Sequence, residues 1–149
     1  MIMESIPLLE PGLHDFEVEE IGNHFLLDFP TSKTRKPLIE GLKAFIAHLA
    51  DVGVPVELWI DGSFTTKKTD PNDIDLVIFS PAEILNKLPA DKQALFQALT
   101  DRASIKKNFG CDVLFCPSEN SEMRSYWRGW YGFDRNEQPK GIARVTVAS

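Results

Sequence analysis

From Arg35 onward, Leu38, Ile39, Leu42, Phe45, Ile46 and Leu49 recur at steps of three and four, with polar residues between them. That spacing lines one side of a helix, and Gly53 supplies its stop. The period then shortens. Two compact apolar runs, 55–60 and 73–79, predict strands joined by a polar loop at 61–72. After Pro81 a helical region is expected, with Leu95, Phe96, Leu99 and Ile105 lining one face after a start near Asp91. CDVLF at 111–115 predicts a third strand behind Gly110, and SEMRSYWRGWYGF a helix capped by Ser118 or Ser121. GIARVTV alternates as a last strand, entered through Pro139 and Gly141. Residues 1–33 are rich in Pro, Gly and acid. Their amphipathic stretch FEVEEIGNHFLLDF predicts a short helix, and the segment is expected to pack as an arm on a single domain formed by 34–149. Strands interleaved with helices give an α/β or α+β class, a mixed sheet flanked by helices.

At 149 residues the chain suits one domain with one active surface. A net charge of −6 argues against a broad basic face for duplex nucleic acid, since phosphate neutralisation needs clustered Lys and Arg. No apolar run approaches the roughly 20 residues of a membrane helix, and the start has no basic segment followed by a long apolar one, so no membrane partner and a cytoplasmic location are expected. Cys111 and Cys116, five apart on one strand, point to opposite faces and cannot pair. With His14, His24 and His48 scattered, there is no zinc-like cluster.

One stretch resists this bland picture. In ELWIDGSFTTKKTDPNDIDLVIF, residues 57–79, a segment built for burial opens on two aspartates, Asp73 and Asp75. Eleven aspartates give about one D-x-D pair by chance, so the pair alone carries little. Its context carries more. Residues i and i+2 of a strand share a face, so the two carboxylates repel side by side, and a divalent cation relieves that repulsion. Magnesium takes such oxygen ligands together with phosphate oxygens and water. Asp112 opens the next apolar run and reaches the same site if its strand lies alongside. Gly62 lets the backbone approach a ligand, and Ser63 adds an N–H and a hydroxyl, so this pair can hold terminal phosphates, with Lys67 and Lys68 as candidate counter-charges. The ordinary alternatives are a turn-capping Asp73, a surface Asp112 and solvated lysines.

A strand ending in Gly-Ser, a short loop, Asp-x-Asp opening the next strand and a further acid on a third resembles the DNA polymerase β-like nucleotidyltransferase superfamily. The signature covers residues 58–115. The resemblance implies a minimal nucleotidyltransferase fold in which Gly62 and Ser63 hold an NTP, ATP first among them. It also implies that Asp73, Asp75 and Asp112 are catalytic and bind two Mg²⁺ ions, with Mn²⁺ as substitute. Asp112 would further activate an acceptor hydroxyl of a protein, RNA or small molecule. The stretches PGLHDF, IDGSFTTKK with DPNDIDL, and FDRNEQPKGIARV are similar to a small bacterial family of unknown function within that superfamily. Where many members carry an Arg after Gly-Ser, this chain has Phe64-Thr65-Thr66. A non-catalytic or antitoxin-type module working through a protein partner is the rival implication, and a homodimer or partner protein is a candidate to complete the site.

Trp127, Trp130 and Tyr131 are expected as the inner stripe of a packed helix, although with Phe133, Arg124 and Arg128 they could stack on a base. Arg128 and Arg135 are candidates for phosphate or for surface ion pairs. His48, beside a buried stripe, is structural. Asp61, next to the phosphate loop, should repel a triphosphate unless it is turned away, caps the loop or helps a metal.

Overall fold

Helix α2 (Arg35–Val52) buries the stripe predicted for it, with Leu42, Phe45 and Leu49 wholly enclosed. Gly53, at φ 84°, ends it and returns its N–H to the Ala50 carbonyl. The computed structural model describes residues 6–133 and 139–147. Around α2 lie β1 (Gly12–Asp15), α1 (Val18–Leu26), β2 (Val56–Asp61), β3 (Ile74–Ser80), α3 (Ala82–Asn86), α4 (Ala90–Leu99), α5 (Arg102–Phe109), β4 (Cys111–Pro117), α6 (Ser121–Tyr131) and β5 (Gly141–Val147). The class is the expected one: a mixed five-stranded sheet, ordered β1-β5-β2-β3-β4, flanked by helices.

β2 runs against both β3 and β5, while β3 pairs β4, and β1 pairs β5, in parallel. A parallel neighbour needs a crossover. The β3–β4 crossover is the region after Pro81, where a helical region with a start near Asp91 was expected; it forms three helices, α4 starting at Ala90 and Ile105 falling on α5 rather than on the same helix as Leu95, Phe96 and Leu99. Pro89 precedes α4, and Asp101 caps α5 by accepting from the Ser104 N–H.

Alternation along the strands divides the interior. Leu58, Ile60, Ile74, Leu76, Ile78 and Val113 face the larger core, where α2 and the Ile21 and Phe25 side chains of α1 cover them. Trp59, Val77, Phe79, Cys116 and Ile142 face a smaller core closed by Tyr131 of α6. β3 is therefore apolar at almost every position because both its faces are covered. Cys111 and Cys116, both free, sit one in each core, as their spacing predicts.

Two local expectations are corrected. Asn120, not Ser118 or Ser121, caps α6, its side chain accepting from the Met123 N–H. The segment before residue 34 also supplies a sheet strand, β1, whose four residues GLHD are too short and too mixed to show alternation. Among the described residues, no helix is long and apolar enough to cross a membrane.

Candidate functional site

β2 ends where β3 and β4 begin, because β2 runs against β3 and β4 runs with it. The register sets Asp61 opposite Asp75 and Asp75 opposite Asp112. Three carboxylates thus form a row across three adjacent strands, on the side of the smaller core. Neighbouring strands are roughly 4.8 Å apart, and like charges directly opposite destabilise a sheet. Asp73, just before β3, adds a fourth charge that acts on Asp75.

The protein answers this repulsion with its own cations. Arg102 of α5 grips Asp112, with Nη2 at 3.0 Å and Nε at 3.1 Å from Oδ1. Lys106, one turn on, lies 3.3 Å from Asp73, and Lys140, just before β5, lies 3.1 Å from Asp61. Among the described residues Asp75 has no such ion pair. Burial first, then the charges of Asp73, Asp112 and Asp61, push its carboxyl up to about 6. Asp61 is wholly enclosed. Its Oδ1 accepts from the Thr65 hydroxyl at 3.0 Å as well as from Lys140, whereas its buried Oδ2 has no hydrogen-bond partner among the described residues. Burial raises Asp61 to about 6, against the opposing pull of Lys140.

The turn beside this row is built to come close. Gly62 has φ 84°, and a Cβ there would run into the Asp75 carboxylate, so both conformation and space call for glycine. Gly62–Thr65 make one tight 3-10 turn, closed by the Thr66 N–H and hydroxyl on the Ser63 carbonyl at 3.1 and 2.7 Å. Arg35 fixes the turn from behind. Its guanidinium is fully buried and donates to the carbonyls of Phe25 (3.0 Å), Phe64 (2.8 Å), Thr66 (2.7 Å) and Lys68 (2.7 Å). Burial lowers its pKa to about 10, which leaves it charged at neutral pH. Asp70 tethers the far end of the loop, accepting from Ser32 Oγ and from the Lys33 and Thr34 N–H groups at the start of α2.

The structure thus brings Gly62, Ser63, Asp73, Asp75 and Asp112 to one end of the sheet and adds Asp61, wholly buried there. Lys67 is exposed and Lys68 half-buried beyond the turn. The cation acting on both Asp61 and Asp75 is instead Lys140. Tyr131 covers the row from α6, its phenol raised by burial and then by Asp75, Asp61 and Asp112. Trp127 stacks on Tyr131 at 5.8 Å, as an inner stripe requires, but Trp130 is 64% exposed and stands outside that stripe. Arg124 lies over Phe79 and pairs with Glu57, Arg128 is half-buried, and Arg135 lies outside the described residues. His48 sits edge-on to Phe109, a packing role.

The donors at the row are carboxylate oxygens, which suit a hard cation such as Mg²⁺ or Mn²⁺, and the orphaned Asp61 Oδ2 fits the same use. As they stand, no three His, Cys, Asp or Glu side chains among the described residues form a metal-holding group. Three of the carboxylates are held by Arg102, Lys106 and Lys140. Cys111 and Cys116 offer no thiolate, since burial pushes both up, Cys111 to about 12.

Sequence reasoning passed over Arg35, Arg102, Lys106 and Lys140, and read Tyr131 as packing or base stacking rather than as a cover on the acid row. Arg35 did carry a signal, because it falls three and four residues before Leu38 and Ile39, in line with the buried stripe. The other cations carry none, because pairing to an acid on another element leaves no local mark.

Over residues 1–146 the chain matches a family of unknown function (DUF6932), and it belongs to that family. No curated protein and no solved structure matches it.

Proposed function

We propose that this member of the family is a magnesium-dependent nucleotidyltransferase of the DNA polymerase β-like type. It moves a nucleoside monophosphate from an NTP, ATP foremost, to a hydroxyl of a protein, RNA or small molecule, with release of pyrophosphate. The observation that carries this reading is the register that sets Asp75 opposite Asp112 beside the Gly62–Ser63 turn. Asp73 and Asp75 hold the cation side of the site, and Asp112 faces the acceptor and draws its proton. The Gly62–Ser63 backbone and the Ser63 hydroxyl meet the terminal phosphates, and Arg35 keeps that backbone in shape. Two bound Mg²⁺ ions would supply charge for the triphosphate and for the attacking oxygen.

A second reading, a non-catalytic module acting through a partner, is favoured by the ion pairs that already occupy Asp61, Asp73 and Asp112. Calorimetry with ATP separates the two. The catalytic reading expects binding with Mg²⁺, loss of binding in EDTA, and loss again in the Asp73→Asn, Asp75→Asn double variant. Equal ATP affinity in EDTA would overturn it. If binding is metal-dependent, labelled ATP supplied with host lysate tests for transfer.

A further inference from the structure

We infer that Lys140 is an exchangeable internal counter-ion: it neutralises Asp61 while the site lacks a metal, and a divalent cation displaces it. The inference rests on the metal-site reading above and concerns a residue outside the expected signature. Among the described residues three cations pair with the acids of the site, but they are not equivalent. The side chains of Lys106 and Arg102 are 57% and 60% exposed, so each can swing into water at little cost. That of Lys140 is 14% exposed, and its partner Asp61 is completely enclosed. Its ammonium therefore lies inside the row, acting on Asp75 as well as on Asp61.

A divalent ion on Asp75 and an ammonium beside it would repel in a partly desolvated site, where charges are poorly screened. One of them has to leave. The Lys140 backbone is fixed, since its N–H donates to the Gly132 carbonyl at 2.8 Å and the Gly141 N–H donates to Leu9 at 3.3 Å. Only the four-carbon side chain is free to move. Asp61 already presents an oxygen with no hydrogen-bond partner among the described residues, so it is ready to receive the cation that replaces the ammonium. The displaced ammonium then remains near the Gly62–Ser63 turn, available to a phosphate oxygen.

Mn²⁺ affinity, read from the free-Mn²⁺ electron paramagnetic resonance signal without nucleotide, tests this in the wild type, Lys140→Met and Lys140→Arg. The methionine variant is expected to bind Mn²⁺ on the order of tenfold more tightly, and the arginine variant no more tightly than wild type. A role limited to packing against Asp61 would not tighten metal binding. If wild type binds Mn²⁺ and Lys140→Met binds it equally or more weakly, the exchange is overturned while the metal site stands. If neither binds, the metal-site reading fails and the exchange with it. Reductive methylation of the wild type, read by mass spectrometry, needs no variant to fold. Saturating Mg²⁺ is expected to raise labelling of Lys140 severalfold and leave exposed Lys67 unchanged. Unchanged Lys140 labelling in a protein shown to bind Mg²⁺ would also overturn the exchange.

Discussion

Asp75 is the carboxylate that the fold treats worst. Burial first, and then three neighbouring acids, raise its pKa from 3.8 to about 6, and among the described residues no cation is paired to it. The native state therefore takes up a proton near pH 6 that the unfolded chain takes up only near 3.8. Between those values the native state holds more protons, so stability rises as pH falls, opposite to the usual acid denaturation. Thermal unfolding in EDTA is expected to show a gain as pH is lowered from 7 to 5. Asp75→Asn should raise the neutral-pH midpoint by roughly 3–6 °C and reduce that gain to the part contributed by Asp61, which burial also raises to about 6. A wild-type midpoint that falls steadily from pH 7 to 5, unchanged by the substitution, would contradict the burial described for Asp75. Sequence could read this residue because the anomaly is local, an acid opening an apolar strand. It could not read why Asp61 is tolerated, because the answer, Lys140, lies 79 positions on.

Helix α2 and the loop between β2 and β3 form one unit, although Asp61 lies 26 positions after Arg35. Arg35 serves carbonyls of Phe64, Thr66 and Lys68, and Asp70 serves N–H groups at the start of α2, so each element completes the other's backbone bonding. Arg35→Met would leave four carbonyls, three of them in buried bonds, without this donor, and a loss of roughly 3–5 kcal/mol is expected in urea unfolding. Arg35→Lys should recover little, because one ammonium cannot span the fork of a guanidinium. Its signature would be early proteolytic cleavage within residues 62–70 under conditions where the wild-type loop resists. Gly62→Ala is expected to cost about 1–3 kcal/mol through its φ of 84° and the crowding of Asp75. The elements themselves were legible where period and length agreed: the α2 stripe, both central strands and the Gly53 stop. The break of the crossover into three helices and the Asn120 cap were not, since Pro89 acts through backbone geometry and the cap depends on which nearby polar side chain reaches the Met123 N–H, and an apolar stripe records neither.

A reading of residues 1–33 as an arm understates what they hold in place. Ile21 and Phe25 of α1 are completely buried, Phe25 meets Phe64 of the Gly62–Thr65 turn at 5.0 Å between ring centres, and its carbonyl is one of the four that Arg35 serves. β1 covers the outer edge of β5, pairing Gly12–Asp15 with Gly141–Arg144, and the Asp15 carboxylate meets Arg144 at 2.6 Å. Sequence showed the amphipathic helix but neither β1 nor the depth of Ile21 and Phe25, because the segment's composition is that of a surface strap and its partners lie far along the chain. Truncating one buried phenylalanine to alanine costs roughly 3–5 kcal/mol, and losing Ile21 as well brings the total near the 5–15 kcal/mol that holds a typical domain together. A chain beginning at residue 28 is therefore expected to lose its cooperative thermal transition, bind a hydrophobic dye and show no near-ultraviolet signal from Trp59. If it instead unfolds cooperatively within a few degrees of the full chain, Ile21 and Phe25 do not belong to the core. The site would suffer first, because the truncation bares the turn through Phe64 and removes an acceptor from Arg35. Any metal-dependent ATP binding should thus be lost even in solutes that restore the helical content.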